Sequence, residues 1–372
     1  MQGHELKPSL AFYIDTMQKG GANRVIAILA NYFAACNYDV WLINDSTCKD
    51  AGKEYQVDAR VHREILNINK KSTLLSNFYR IQKIRSLLKE KSIGVAISFM
   101  GPPNVRLLIA GIGLKCKKIV SVRNDPNIEY GASVFAKLAV ELIFSSASAC
   151  VFQTQDAASY FSKRIQKKSK VILNPIHPGF FQIKREQETR NVVTVGRLFE
   201  QKNQKLLIDS FNLIRKEIPN EKLIIYGEGP LRTELERYVA ELGLSDQVLL
   251  PGQVSNVADV MANASAFVLS SDYEGLPNAL MEAMAVGVPA ISTDCPCGGP
   301  RNLIQDSSQG ELVPCGDARR MADALLDLLS NKERQNYMSI HERERAKRFH
   351  PSVICAEWEE FIMDVYSGRN TP

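Results

Sequence analysis

SSDYEGLPNALMEAMAVGVP, residues 270–289, is the stretch whose reading decides the fold. The residues just before it, Ala266-Phe-Val-Leu269, read as a short apolar strand, and a helix is expected to start near Asn278. Between them lies the loop Glu274-Gly275-Leu276-Pro277. Glycine lets a backbone approach a ligand closely, and proline suits a first helical turn. A strand that feeds a helix through such a loop leaves free N–H groups and the positive end of the helix dipole facing an anion. Glu282 follows Glu274 by eight residues, among Ala279, Leu280, Ala283, Met284 and Ala285. A carboxylate there is unexpected, and its two adjacent acceptors suit a vicinal diol such as ribose. Each acid also has an ordinary reading: Glu282 on an exposed polar face, Glu274 as a helix-start acid.

Outward from this stretch the same grammar repeats. Short apolar runs fall at 9–14, 39–43, 93–99, 118–123, 149–152 and 170–173, then at 191–196, 222–226, 247–250, 266–269 and 288–292. Helical patterns separate them, which predicts parallel sheets with helices on both faces. The series occurs twice, and 372 residues are too many for one typical core. The expected class is therefore α/β, with two doubly wound, Rossmann-like parallel-sheet domains facing a cleft. The prolines and glycine of Asn174-Pro-Ile-His-Pro-Gly-Phe-Phe, followed by polar residues 184–190, mark a hinge. This divides the chain into an N-terminal domain, 1–183, a C-terminal domain, 184–350, and a last helical segment, 351–372. That segment is free to pack on either domain, including back on the first. In such sheets ligands bind at the carboxyl ends of the strands.

Three further junctions carry candidate chemistry. Gly196-Arg197-Leu-Phe-Glu-Gln-Lys202 follows the strand at 191–196, and its two cations are spaced to reach one diphosphate, Arg with planar donors and Lys as a mobile point charge. Tyr226-Gly227-Glu-Gly229-Pro230 also follows a strand; Arg232 stands where the third glycine of a dinucleotide fingerprint would fall. Gly20-Gly21 follows the first strand and opens a helix at 22–35. No Asp-x-Asp occurs in the sequence, so a metal bridge to a diphosphate has no support in the motifs, and no metal ligand or other cofactor is assigned. The eight cysteines are scattered and read as free buried thiols; Cys295-x-Cys297 has no second cluster to make a zinc site.

Together these residues resemble the retaining glycosyltransferases of family 4, which have the GT-B architecture. The resemblance runs over nearly the whole chain. It is most specific in Glu274-x7-Glu282, in Arg197–Lys202, and in the order of the four motifs. Gly20-Gly-x-x-Arg-Val25 is similar too, except that Asn23 replaces the usual glutamate. Asp294-Cys-Pro-Cys-Gly-Gly-Pro300-Arg is similar to a run in bacterial capsule, O-antigen and glycan-assembly members, with Asn302 where glutamate is common. The resemblance implies that Arg197 and Lys202 grip the donor diphosphate, that Glu282 holds the ribose hydroxyls, and that Glu274 binds the transferred sugar with Gly275, Leu276 and Pro277 beside it. It implies that the loops Gly227–Pro230 and Pro251–Val254 border the base, and that Gly20 and Gly21 approach the phosphates. Where many relatives carry a His-Asp pair, this chain has Arg123-Asn124-Asp125-Pro126, which makes Arg123, Asn124 and Asp125 candidate acceptor or sugar contacts. An Asx-Pro turn is an equal reading for Asp125. The implied co-substrate is a nucleoside-diphosphate sugar, with UDP-hexose or UDP-N-acetylhexosamine ahead of GDP-mannose. A dinucleotide oxidoreductase and a non-catalytic glycan- or lipid-binding relative are the alternatives.

Charge points the same way. Residues 1–180 hold 25 Lys/Arg against 13 Asp/Glu, and the remainder 21 against 28. A basic first half faces something anionic, and no nucleic-acid motif accompanies it, so the expected partners are a lipid-linked or oligosaccharide acceptor and an anionic membrane surface. Residues 60–91 concentrate nine Lys/Arg around an imperfect apolar helical stripe of Leu74, Phe78, Ile81 and Leu88; a solvated basic helix is the plainer alternative. With no apolar run of membrane-spanning length and no signal sequence, the expected location is cytoplasmic, peripheral on the inner face of the membrane.

Overall fold

A computed structural model of the chain describes residues 7–48, 51–68, 72–185 and 190–369. It divides into two compact units. One comprises the chain up to Pro175 together with Ser352 onward; the other is Ile176–Pro351.

The first unit is built on a seven-stranded parallel sheet: β1 Leu10–Ile14, β2 Val40–Asn44, β3 His62–Ile65, β4 Val95–Phe99, β5 Lys117–Ser121, β6 Ala149–Phe152 and β7 Ser169–Val171, ordered β3-β2-β1-β4-β5-β6-β7. Strands β1 and β4 are buried along their whole length, as expected for strands covered on both faces. Helix α1, Gly21–Ala35, packs its Val25, Ile26, Leu29 and Phe33 on one face, joined by Trp358, Phe361 and Ile362 of the C-terminal helix Pro351–Ser367. On the other face lie α2, Thr73–Glu90, and α3, Gly101–Ala110, with α4, Val134–Ser145, packed beside α3.

The second unit has a six-stranded parallel sheet: β8 Asn191–Val195, β9 Lys222–Tyr226, β10 Val248–Gly252, β11 Ala266–Leu269, β12 Ala290–Thr293 and β13 Glu311–Val313, ordered β10-β9-β8-β11-β12-β13. The helices that position its loops are α5, Gln204–Ile214, α6, Asn278–Val286, and α7, Lys332–Ala346. Sequence reading found eleven of these strands and missed β3 and β13. Both are short edge strands with charged residues, and neither carries the continuous apolar run of a buried strand. Part of the basic segment, Lys70 and Lys71, and residues 186–189 of the hinge lie outside the described residues.

Each sheet reverses its direction of growth once, between β1 and β4 in the first unit and between β8 and β11 in the second. A crevice opens at the carboxyl ends of strands at such a switch point.

Candidate active site

In the second unit Gly227–Pro230, Arg197–Lys202, Glu274–Pro277 and the Asp294–Arg301 run follow four adjacent strands, β9, β8, β11 and β12, so one edge of one sheet gathers them. The two at the switch point are Arg197–Lys202, after β8, and Glu274–Pro277, after β11. They are joined directly. The Lys202 ammonium donates to the Glu274 carboxylate in a short ion pair, and the same carboxylate accepts from Ser271 Oγ at 2.7 Å. Glu274 is only 6% exposed, so its charge is matched by a cation rather than by water.

The loops are pinned by their backbones. The Asp272 N–H donates to the Gln201 carbonyl at 2.9 Å, Ser270 Oγ to the Lys202 carbonyl at 2.9 Å, and Gln201 Nε2 to the Tyr273 carbonyl at 2.9 Å. Asn203, in the left-handed conformation at φ +41°, caps α5 by accepting from the Leu206 N–H and donates to Asp272 at 2.8 Å. Lys202 is thus fixed between a tight turn and a helix start. Gly196 lies alongside its aliphatic stem. Arg197 is exposed at the mouth, its guanidinium 4.9 Å from the Phe199 ring centre.

Both ordinary readings of the glutamates fail on geometry. Glu274 stands in the loop ahead of α6, which has no acid in its first turn, and Glu282 is 5% exposed in that helix. Pro277 immediately precedes α6. Burial and the nearby Glu274 carboxylate push the Cys295 thiol up, so it stays protonated.

The glycines of Gly227-x-Gly229 have a reason inside the chain. Gly227 has φ +146°, and a Cβ there would fall 1.8 Å from the Gly196 carbonyl oxygen; a Cβ on Gly229 would fall 2.3 Å from that of Leu198. The β9 loop therefore lies flat on the β8 loop, tied by Leu198 N–H to the Glu228 carbonyl at 3.0 Å. Likewise Gly299 admits the Gly275 carbonyl at 1.9 Å from where a Cβ would sit, which sequence reading missed. Val254 lies half-buried after the edge strand β10.

The remaining candidates belong to the first unit. Gly20 precedes α1 with extended backbone, and a Cβ there would meet nothing closer than 3.7 Å. Gly21 is the first residue of α1, and Asn23 Nδ2 donates to the Thr16 carbonyl at 2.7 Å. Asp125 caps the short helix Pro126–Glu129, its Oδ1 accepting from the Asn127 N–H at 2.8 Å: the Asx-Pro turn is what this side chain forms. Asn124 is half-buried on the same turn. Arg123 is buried, stacked 4.0 Å from the Phe99 ring centre, and donates to Asn174 Oδ1 at 2.7 Å; its Nε and Nη2 have no acceptor among the described residues. Desolvation pushes its pKa down to about 9.

Two doubly wound parallel sheets, the second with a paired lysine and glutamate at its switch point, have the GT-B fold, and the chain is a glycosyltransferase. It belongs to the group described as Glycosyl transferases group 1, matched over residues 179–345. It is 31% identical over 367 residues, 96% of this chain and 98% of the relative, to a Campylobacter jejuni α-1,4-N-acetyl-D-galactosaminyltransferase named for a diphospho-undecaprenol-linked glycan. A second Campylobacter jejuni enzyme, a 4-α-N-acetylgalactosaminyltransferase named for an N-acetylgalactosamine-N,N'-diacetylbacillosaminyl-diphospho-undecaprenol, is 26% identical over 95% of this chain and 99% of its own. The solved structure of HepE from Anabaena, in complex with UDP and glucose, superposes with a TM-score of 0.78 at 16% identity, over 96% of this chain and all of that one.

Proposed function

We propose that the enzyme transfers a sugar, with retention of anomeric configuration, from a nucleoside-diphosphate sugar to a lipid-linked or polysaccharide acceptor in bacterial glycan assembly. The observation that carries this reading is the Lys202–Glu274 pair across the β8/β11 switch point, with Arg197 beside it. Lys202 and Arg197 supply positive charge where the leaving diphosphate would gather negative charge, a role that needs no metal bridge. Glu274 would take hydroxyls of the transferred sugar and Glu282 those of the ribose, with Gly275–Pro277 and the start of α6 at the phosphates. Gly196, Gly227, Gly229 and Val254 would border the nucleotide. Gly20, whose backbone leaves room that the chain itself does not use, and Gly21 would meet the phosphates; Arg123 and Asn124 would serve the acceptor.

In this reaction the bond from the anomeric carbon to the diphosphate breaks. The acceptor oxygen bonds to that carbon on the same face and passes its proton to the departing phosphate oxygen. UDP-hexose or UDP-N-acetylhexosamine is the favoured donor, in keeping with the relatives' names and with UDP in the HepE complex, and GDP-mannose comes next. The basic first unit suits an anionic membrane surface and a diphosphate-linked acceptor at the inner face. No described helix is long and apolar enough to cross a membrane.

Incubating the enzyme with UDP-N-acetylgalactosamine and a polyprenyl-diphosphate glycan, then reading the new anomeric proton by NMR, tests the proposal. An α-linked product formed in the presence of EDTA is expected. A β-linked product would remove the retaining mechanism, and loss of turnover with EDTA the metal-independent one.

A further inference from the structure

Helix α4 reads VFAKLAVELIFS, apolar nearly all round, a composition that ordinarily belongs to a buried helix. Only Val140 and Phe144 are buried. Val134, Phe135, Leu138 and Leu142 are 69%, 84%, 63% and 75% exposed, and their spacing aligns them along one stripe. The helix's two charges have partners of their own: Lys137 lies over the Tyr160 ring, and Glu141 accepts from Ser162.

The stripe does not stand alone. Helices α2, α3 and α4 cover the same face of the first sheet, and Leu74 and Phe78 of α2 are exposed there as well. A bare apolar area of this kind marks an interaction surface. Charge decides what it fits. Lys83, Lys89, Lys115 and Lys137 are exposed on this layer, and among residues 73–142 Glu90 is the one exposed acid. A second copy of the chain would bring the same positive charge to the contact. A partner that offers hydrocarbon beneath a negative surface is an anionic lipid bilayer.

We propose that α4 seats the enzyme on an anionic bilayer, with Phe135, Leu138 and Leu142 entering the boundary between headgroups and acyl chains while the lysines around them meet lipid phosphates. The basic helix α2 supplies charge; α4 supplies the hydrocarbon contact. The purpose of this seating rests on the lipid-linked acceptor reading, but the contact itself is measured without donor or acceptor.

The test is flotation at low salt with vesicles of phosphatidylglycerol and phosphatidylcholine, beside vesicles of phosphatidylcholine alone. The wild type is expected to float with the anionic vesicles. Phe135→Glu/Leu138→Glu is expected to lose at least about tenfold in partitioning, since each exposed side chain removed from hydrocarbon forfeits more than a kcal/mol-scale contact. That variant keeps its thermal stabilisation by UDP, which shows an intact fold. Arg197→Ala should do the reverse, floating normally without the nucleotide response. Wild type that stays unbound overturns the proposal, as does a double variant that floats like wild type. A wild-type dimer that the double variant breaks, without vesicle binding, would make the stripe an interface between copies. Normal flotation with no nucleotide response would leave this surface standing and remove the transferase site reading instead.

Discussion

Lys202 has three N–H donors and spends one on Glu274, whose carboxylate Ser271 also holds. A diphosphate arriving at Lys202 therefore meets a cation already accompanied by a negative charge. Glu274→Gln removes that charge while keeping a hydrogen-bonding group. UDP alone is expected to bind at least as tightly to this variant as to wild type, while kcat for sugar transfer falls on the order of a hundredfold, the scale of losing one charge-stabilising group. Isothermal titration and steady-state rates separate the two effects; equal losses in both would mean that Glu274 only holds Lys202 in place. Gly227 sits at the other extreme, where the chain alone fixes the residue. Gly227→Ala forces a Cβ to within 1.8 Å of the Gly196 oxygen at φ +146°, so urea denaturation is expected to show a loss of about 1–3 kcal/mol or more. At this scale the sequence was partly legible. Ala266–Pro289 announced a strand, a loop and a helix start. That Lys202 pairs with Glu274, and that Gly299 makes room for Gly275, depends on loops far apart in sequence meeting at one sheet edge.

Among the elements, α3 begins at a point of chemical tension. Met100 ahead of it has φ +75°, and the Gly101 N–H donates to the Glu129 carboxylate. Burial raises the Glu129 pKa to about 7, against the lowering effect of that hydrogen bond. A carboxyl whose folded pKa is raised binds its proton more tightly folded than unfolded. Its contribution to stability is present below the unfolded pKa, near 4, and is lost as pH rises through about 7. Glu129→Gln should flatten that part of the profile and be the more stable protein above pH 7. Thermal melts of both across that range check it, and parallel profiles would contradict it. Element reading succeeded where apolar runs were continuous, as in β1 and β4, and failed for β3 and β13, which are edges. It passed over α4 because an apolar helix looks like core until its neighbours are known.

For the whole molecule, the chain returns to its first unit at the end. Trp358, Phe361 and Ile362 of the C-terminal helix lie in the same core as α1, β1 and β4. Trp358→Ala is expected to cost about 3–5 kcal/mol, with the loss falling on the transition of the first unit. Near-ultraviolet circular dichroism during denaturation would report it; an unchanged transition would mean this helix contributes little to the unit. The charge asymmetry between the halves was legible from composition, because it needs only a count. Which surface uses it was not, since the exposed stripe of α4 appears only when helices are packed.

The central claim, that the second unit's switch point holds a nucleoside-diphosphate sugar through Arg197 and Lys202, is tested most directly by thermal stabilisation with UDP, GDP, ADP and NAD, in wild type and Arg197→Ala. At one hundred times its dissociation constant a ligand adds about 2.7 kcal/mol. A shift with one nucleoside diphosphate, UDP first, that disappears in Arg197→Ala is the expected result. A shift with NAD alone, or the same UDP shift in both proteins, would contradict it.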